Sequence, residues 1–159
     1  MAIAICLMSC IKEKQTGADL GVGDRVPDFA VEMNDGTVTT GKMLSDGISV
    51  IVFFTTGCPD CRETLPHVQR LYDEYEPRGV SFALISREEG VEKVSEYWSS
   101  NGFSMPYSAQ SDRKIYELFA STQVPRIYIN KDGLIVAIFT DLPETPSYND
   151  LESALSQIL

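Results

Sequence analysis

The 159-residue chain has no basic run, only one histidine, and no apolar stretch of the about 20 residues that a bilayer-spanning helix needs. Each absence narrows the function. Thirteen lysines and arginines stand against 23 aspartates and glutamates, giving a formal net charge of −10. That balance lacks the electrostatic footprint of a nucleic-acid binder and does not suit an anionic membrane surface. It aids solubility and only weakly favours basic client proteins. A structural zinc needs four ligands, and beyond the cysteines the chain offers the single nitrogen ligand His67. No internal repeat and no low-complexity segment is visible. What remains is an apolar share of 43%, ordinary for a folded chain, in a length that suits one domain with short extensions.

Cysteine is scarce too, and its placement is informative. Cys6 and Cys10 lie in the apolar N-terminal run Ala2 to Cys10, whose length fits the core of a signal peptide. Leu7-Met8-Ser9-Cys10 resembles a bacterial lipobox, in which the cysteine becomes the lipidated first residue; Cys6 follows the bulky Ile5 and fits less well. The usual basic start is missing, so either the true start lies upstream or the α-amino group serves alone. The bland alternative is an apolar tail or a buried first strand. On the lipobox reading, residues 1–10 are a signal peptide with a lipidation site at Cys10. Residues 11–23, polar and small, are a tether, and 24–159 are the domain. Cys58 and Cys61 are then the only free thiols.

Within the domain, Asn34-Asp35-Gly36 between Val31 and Val38 predicts an edge hairpin. Ser49 to Thr55 is a nearly continuous β-branched and aromatic run, which predicts a strand buried on both faces in mid-sheet. A helix is expected to start at Pro59, bury Leu65, Val68, Leu71, Tyr72 and Tyr75, kink at Pro66, and stop at Pro77 and Gly79. Val80 to Ile85 predicts the next strand. Val91 to Asn101 predicts a helix with Val91, Val94, Tyr97 and Trp98 inward and Gly102 as its stop. Asp112 is expected to cap a helix carrying Ile115, Leu118 and Phe119. Arg126 to Ile129 and Leu134 to Phe139 predict a hairpin turning at 130–133, and Asn149 to Leu159 a closing helix with Leu151, Leu155 and Ile158 inward. Alternating strands and helices imply an α/β fold with a central mixed sheet.

The chemistry-bearing motif is Cys58-Pro59-Asp60-Cys61, where a strand feeds a helix. The first residue of such a helix meets unpaired backbone N–H groups and the positive end of the dipole, which favour a thiolate. The i, i+3 spacing brings Cys61 onto the same face. Cys58 is therefore the expected exposed nucleophile, and Cys61 the buried resolving thiol. His67 lies about half a turn round the helix from Cys58 and points away from it, which leaves zinc unfavoured.

Two stretches carry a family resemblance. Thr55 to Pro66, with Pro66 five residues after Cys61, resembles the active-site segment of thioredoxin-like thiol–disulfide oxidoreductases of the TlpA/ResA/CcmG type. Val124-Pro125 and the following hairpin are similar to that family's cis-proline loop, and the resemblance covers roughly 23–159. It implies a thioredoxin fold with an N-terminal hairpin and an inserted helix, a cis Pro125 facing the cysteines, and a Val124 backbone that pairs with an extended client. It also implies no cofactor and no metal. The implied partners are client proteins carrying disulfides or dithiols and an envelope reductant. The implied location is the periplasmic side of the cell envelope, lipid-anchored through Cys10.

The chain departs from the family at informative places. Thioredoxin's buried aspartate is replaced by Val52, and the ResA-type glutamate by Thr64, with Glu63 about 160° from Cys61 and unable to substitute. Water or Asp60 is then expected to take the Cys61 proton. Gly57 stands where tryptophan is usual, thinning the aromatic rim. Arg62, on the face of Cys58, is expected either to hold the thiolate or to be solvated. Asp60 opposes thiolate formation, which predicts a reductase-leaning pair. Two other functions compete. A peroxiredoxin-like peroxidase would use Thr55 and Arg126, but it needs proline where Ile51 stands. A copper-binding lipoprotein would keep the pair as soft-metal ligands. Trp98, Tyr107 and Met105-Pro106 are expected in the core or a groove wall.

Overall fold

The computed structural model describes residues 19–159. The signal-peptide and lipobox assignments, with Cys6 and Cys10, lie outside the described residues, as does the tether up to residue 18. The elements in chain order are β1 (Ala30–Glu32), β2 (Val38–Thr40), α1 (Gly41–Leu44), β3 (Ile48–Phe54), α2 (Pro59–Tyr75), β4 (Ser81–Ser86), α3 (Val91–Asn101), β5 (Tyr107–Ser108), α4 (Lys114–Glu117), β6 (Arg126–Lys131), β7 (Leu134–Phe139) and α5 (Tyr148–Ser156).

Five strands form one mixed sheet in the order β5-β4-β3-β6-β7. The first three are parallel, β6 runs antiparallel to β3, and β7 runs antiparallel to β6 and so in the direction of the first three. β3 is central because both its faces are apolar. Val50 through Phe54 are fully buried. On one face Phe54 stacks on Trp98 of α3 at 4.9 Å; on the other Phe53 meets Phe119 at 4.9 Å and Tyr116 at 5.4 Å. Such a strand cannot sit at an edge, where one side of its backbone would go unpaired. The outer edge of β7 is partly covered by the incoming chain, through Gly23 N–H to Ile135 O (2.8 Å) and Ile135 N–H to Asp24 O (2.9 Å).

Several expectations need correction. The 30–40 hairpin does form, with Gly36 at φ +83° in its turn, but as a separate two-stranded sheet and not as part of the main one. It is pinned to β5 through Asn34, whose N–H donates to Tyr107 O (2.7 Å) and whose Oδ1 accepts from Tyr107 N–H (2.9 Å). The tether does not reach residue 23. Leu20 is buried and donates to Phe119 O at 2.8 Å, and Asp19 is bound to Ser121 and Arg126, so Asp19–Gly23 belong to the domain. The end of α2 is as expected: the helix contains Pro66 and stops over Pro77 and Gly79, through a 3₁₀ turn at Glu76–Arg78 that Gly79 (φ +92°) ends. Val91 is not on the inward face of α3: it is 66% exposed. Asp112 does accept from Lys114 N–H (3.0 Å), but α4 is a single turn, with Leu118 exposed and Tyr116 its buried anchor. α1 and β5 were not foreseen, because two to four residues carry no readable period.

Candidate active site

Three chain segments build the site: the loop from β3 into α2, the start of α2, and the loop before β6. Pro59 opens α2 where no N–H is needed, which leaves Cys58 as its N-cap in extended conformation (φ −82°, ψ 121°). Its Sγ accepts from Cys61 N–H at 3.4 Å, so a sulfur occupies the place that a serine or aspartate oxygen takes at other helix starts. Both cysteines are free thiols, Cys58 half-buried and Cys61 fully buried. Burial drives the Cys61 thiol far above its ordinary range. Cys58 and the charge of Asp60 push the same way, and a hydrogen bond from the Thr55 backbone only partly offsets them.

The loop before β6 closes the other side. The Val124–Pro125 peptide is cis, both residues are buried, and the Cys58 thiol donates to Val124 O at 3.4 Å. Cys58, Cys61, Val124 and Pro125 are thus brought together. A second cis bond, Leu142–Pro143, was not anticipated. It follows β7, whose Phe139 pairs with Ile127, so it lies at the same end of the sheet.

The supporting residues are placed less as expected. The Arg62 side chain is neither on the Cys58 sulfur nor simply solvated. Its Nε donates to Thr56 O (2.7 Å) and its guanidinium lies 5.6 Å over the Tyr97 ring. Thr64 is fully buried and its hydroxyl has no hydrogen-bond partner. His67 is partly buried on α2, and Gly57 is exposed with open space where a Cβ would stand. Arg126 does not reach toward the thiols as a peroxide-binding arginine would. It is buried, with Nη2 on Asp19 Oδ2 (3.0 Å) and Thr122 O (3.3 Å) and Nη1 on Tyr128 Oη (3.5 Å).

One residue that braces the site from outside those three segments escaped the sequence entirely. Glu89, in the loop after β4, is buried and accepts from Thr56 N–H (2.7 Å) and Thr56 Oγ1 (3.1 Å) while pairing with Lys93 (2.8 Å). Burial alone would raise its pKa, but the Lys93 ammonium and the two Thr56 donors outweigh it and hold the carboxyl below the usual range. Thr56 therefore has all three of its polar groups engaged, two residues ahead of Cys58. The only hint of this in the sequence was a glutamate four residues before a lysine, a spacing that surface pairs share.

The fold and the cysteine pair define a thioredoxin-like protein. A candidate protein disulfide isomerase from Bacteroides thetaiotaomicron superposes with a TM-score of 0.79 at 21% identity, over 91% of this chain and 92% of that one. A secreted disulfide oxidoreductase from Mycobacterium tuberculosis, described as homologous to E. coli DsbE, gives 0.72 at 18% identity, over 82% and 96%. The profile of the AhpC/TSA family matches residues 22–138, and the chain belongs to that family. It is also 26% identical over 119 residues to the thiol–disulfide oxidoreductase ResA of Halalkalibacterium halodurans, covering 74% of this chain and 68% of that protein.

Proposed function

We propose that the protein is a thiol–disulfide oxidoreductase that reduces client disulfides in the cell envelope. The observation that carries this reading is a partly buried Cys58 at a helix start, its thiol on the carbonyl ahead of cis Pro125, with a buried Cys61 one turn on. In the forward step the Cys58 thiolate attacks one client sulfur. A Cys58–client bond forms, the client S–S bond breaks, and the departing client thiolate takes a proton. Cys61 then gives its proton to water or Asp60, attacks Cys58 Sγ and expels the second client thiol. Two electrons leave the pair, which ends as the Cys58–Cys61 disulfide and needs an envelope reductant to reset it.

Val124 presents the backbone edge on which an extended client segment adds as a strand. The raised Cys61 pKa and the nearby Asp60 charge favour a reductase-leaning pair, because they stabilise the thiol form over the thiolate. Equilibration with glutathione measures this, and a potential near about −120 mV would reverse the direction. Location on the periplasmic side, with a lipid anchor at Cys10, rests on the Leu7-Met8-Ser9-Cys10 motif and accords with a secreted structural neighbour. Against a peroxidase stand Ile51 in mid-strand and an Arg126 already committed to Asp19.

The direct test is a client-trapping experiment with Cys61→Ser, which should accumulate mixed disulfides through Cys58. If both thiols of the wild-type protein resist alkylation and dithiothreitol leaves its oxidised form unchanged, the reading fails.

A further inference from the structure

We propose that Asp19 is a positioning residue for the exchange reaction: it holds the loop Ser121–Arg126 in the shape that presents Val124 to Cys58 and to an extended client. This inference rests on the oxidoreductase reading and adds a residue to it.

The loop has little structure of its own. Between the single turn α4 and β6 it contains a non-glycine residue with left-handed backbone, Gln123 at φ +70°, a conformation that needs outside support. That support comes from side chains. Asp19 Oδ1 accepts from both Ser121 N–H (2.8 Å) and Ser121 Oγ (2.9 Å), and Asp19 Oδ2 accepts from Arg126 Nη2 (3.0 Å). One carboxylate thus spans the loop from its first residue to its last. Arg126 Nη2 also donates to Thr122 O (3.3 Å), and the buried Tyr116 hydroxyl lies between the carbonyls of Thr122 and Gln123 (2.6 Å to the latter). Asp19 is itself fixed by its neighbour, since Leu20 is buried and bonded to Phe119 O.

Charge-assisted bonds of this kind are roughly twice as strong as neutral ones. Arg126 is buried and has no other carboxylate among its hydrogen-bond partners, so losing Asp19 leaves its guanidinium short of a counter-charge. The loop ends would then separate. The Cys58 thiol would remain at its helix start, because α2 holds it, but Val124 O would no longer sit in register beside it.

The test compares two reagents on Asp19→Ala, Asp19→Asn and wild type. A small aromatic disulfide needs only the Cys58 sulfur, whereas a glutathionylated extended peptide also needs the Val124 edge. The ratio of peptide to small-reagent rate constants should fall about tenfold in Asp19→Ala. It should fall less in Asp19→Asn, which keeps an acceptor for Ser121 N–H. The small-reagent rate should change much less than the peptide rate, and amide hydrogen exchange at Gln123 and Val124 should quicken. An unchanged ratio, or equal falls in both rates, would overturn the inference. A wild-type protein inert to both reagents would instead sink the oxidoreductase reading, and the amide exchange in Asp19→Ala would still decide whether Asp19 holds the loop.

Discussion

The two halves of the site are held by different physics. The half that carries the thiols is mostly local: a strand end, a proline at the first helical position, and two cysteines one turn apart. The half that carries Val124 and Pro125 has no regular hydrogen-bonded ladder. It depends on side chains from far along the chain, Asp19 lying 102 residues from Ser121 and 107 from Arg126. Local order is cheap in entropy and places the reactive atom, whereas long-range clamping shapes the surface around it. The two halves are joined at the sulfur itself, by the hydrogen bond from the Cys58 thiol to Val124 O.

The sharpest way to break this division is to remove the sulfurs. Cys58→Ser should abolish exchange with every disulfide, large or small. Cys61→Ser should leave the first attack intact and stall release, read by a mixed disulfide that persists under mass spectrometry. If Cys58→Ser retained exchange, the assignment of roles along α2 would be wrong.

A second effect separates the two thiols. Burial keeps the Cys61 thiol protonated well past neutrality, so each unit of pH increases its reactive fraction. Single-turnover release from Cys58 should therefore rise about tenfold per pH unit from about pH 6 to about pH 9. A plateau near neutrality would mean that a dedicated base acts on Cys61. Asp60→Asn sharpens this, since it should speed release if the Asp60 charge only opposes the thiolate, and slow it if Asp60 accepts the proton.

The thiol half is not wholly local, and Glu89 tests how far. Glu89→Ala leaves the buried Thr56 N–H without an acceptor, which should cost about 1–3 kcal/mol by denaturant unfolding. The folded carboxyl titrates below its ordinary value, so its contribution is present above the unfolded pKa and is lost as pH falls through the folded one. Wild type should accordingly lose more stability than Glu89→Gln when acidified from about pH 5 to about pH 3. Equal losses would show that another group carries the acid sensitivity.

The smallest effect is expected at Thr64, where the ResA-type pattern has glutamate. Its buried hydroxyl is unpartnered, so Thr64→Val should be neutral or stabilising by up to about 1 kcal/mol, with release from Cys58 unchanged. A slower release would reveal that the hydroxyl serves Cys61.

The central strand was legible as a continuous β-branched and aromatic run, the long helix and the inserted helix as a period of three to four residues, and the closing hairpin by the turn residues between two apolar stretches. Val91, Leu118 and the hairpin at 30–40 were misplaced for the opposite reason. A period says which side of an element is apolar; it does not say where the element ends or which sheet it joins. The same limit hid α1 and β5.

The adjacency of Cys58 and Cys61 was determined by sequence alone, since helical geometry links residues three apart without help from the rest of the chain. The engagement of Arg62 with Thr56 and Tyr97, the Glu89 clamp and the tie from Asp19 to Arg126 were decided only by tertiary structure. No local rule pairs residues 33 or 107 positions apart, and a buried charge finds its partner only once the sheet has brought distant loops to the same end.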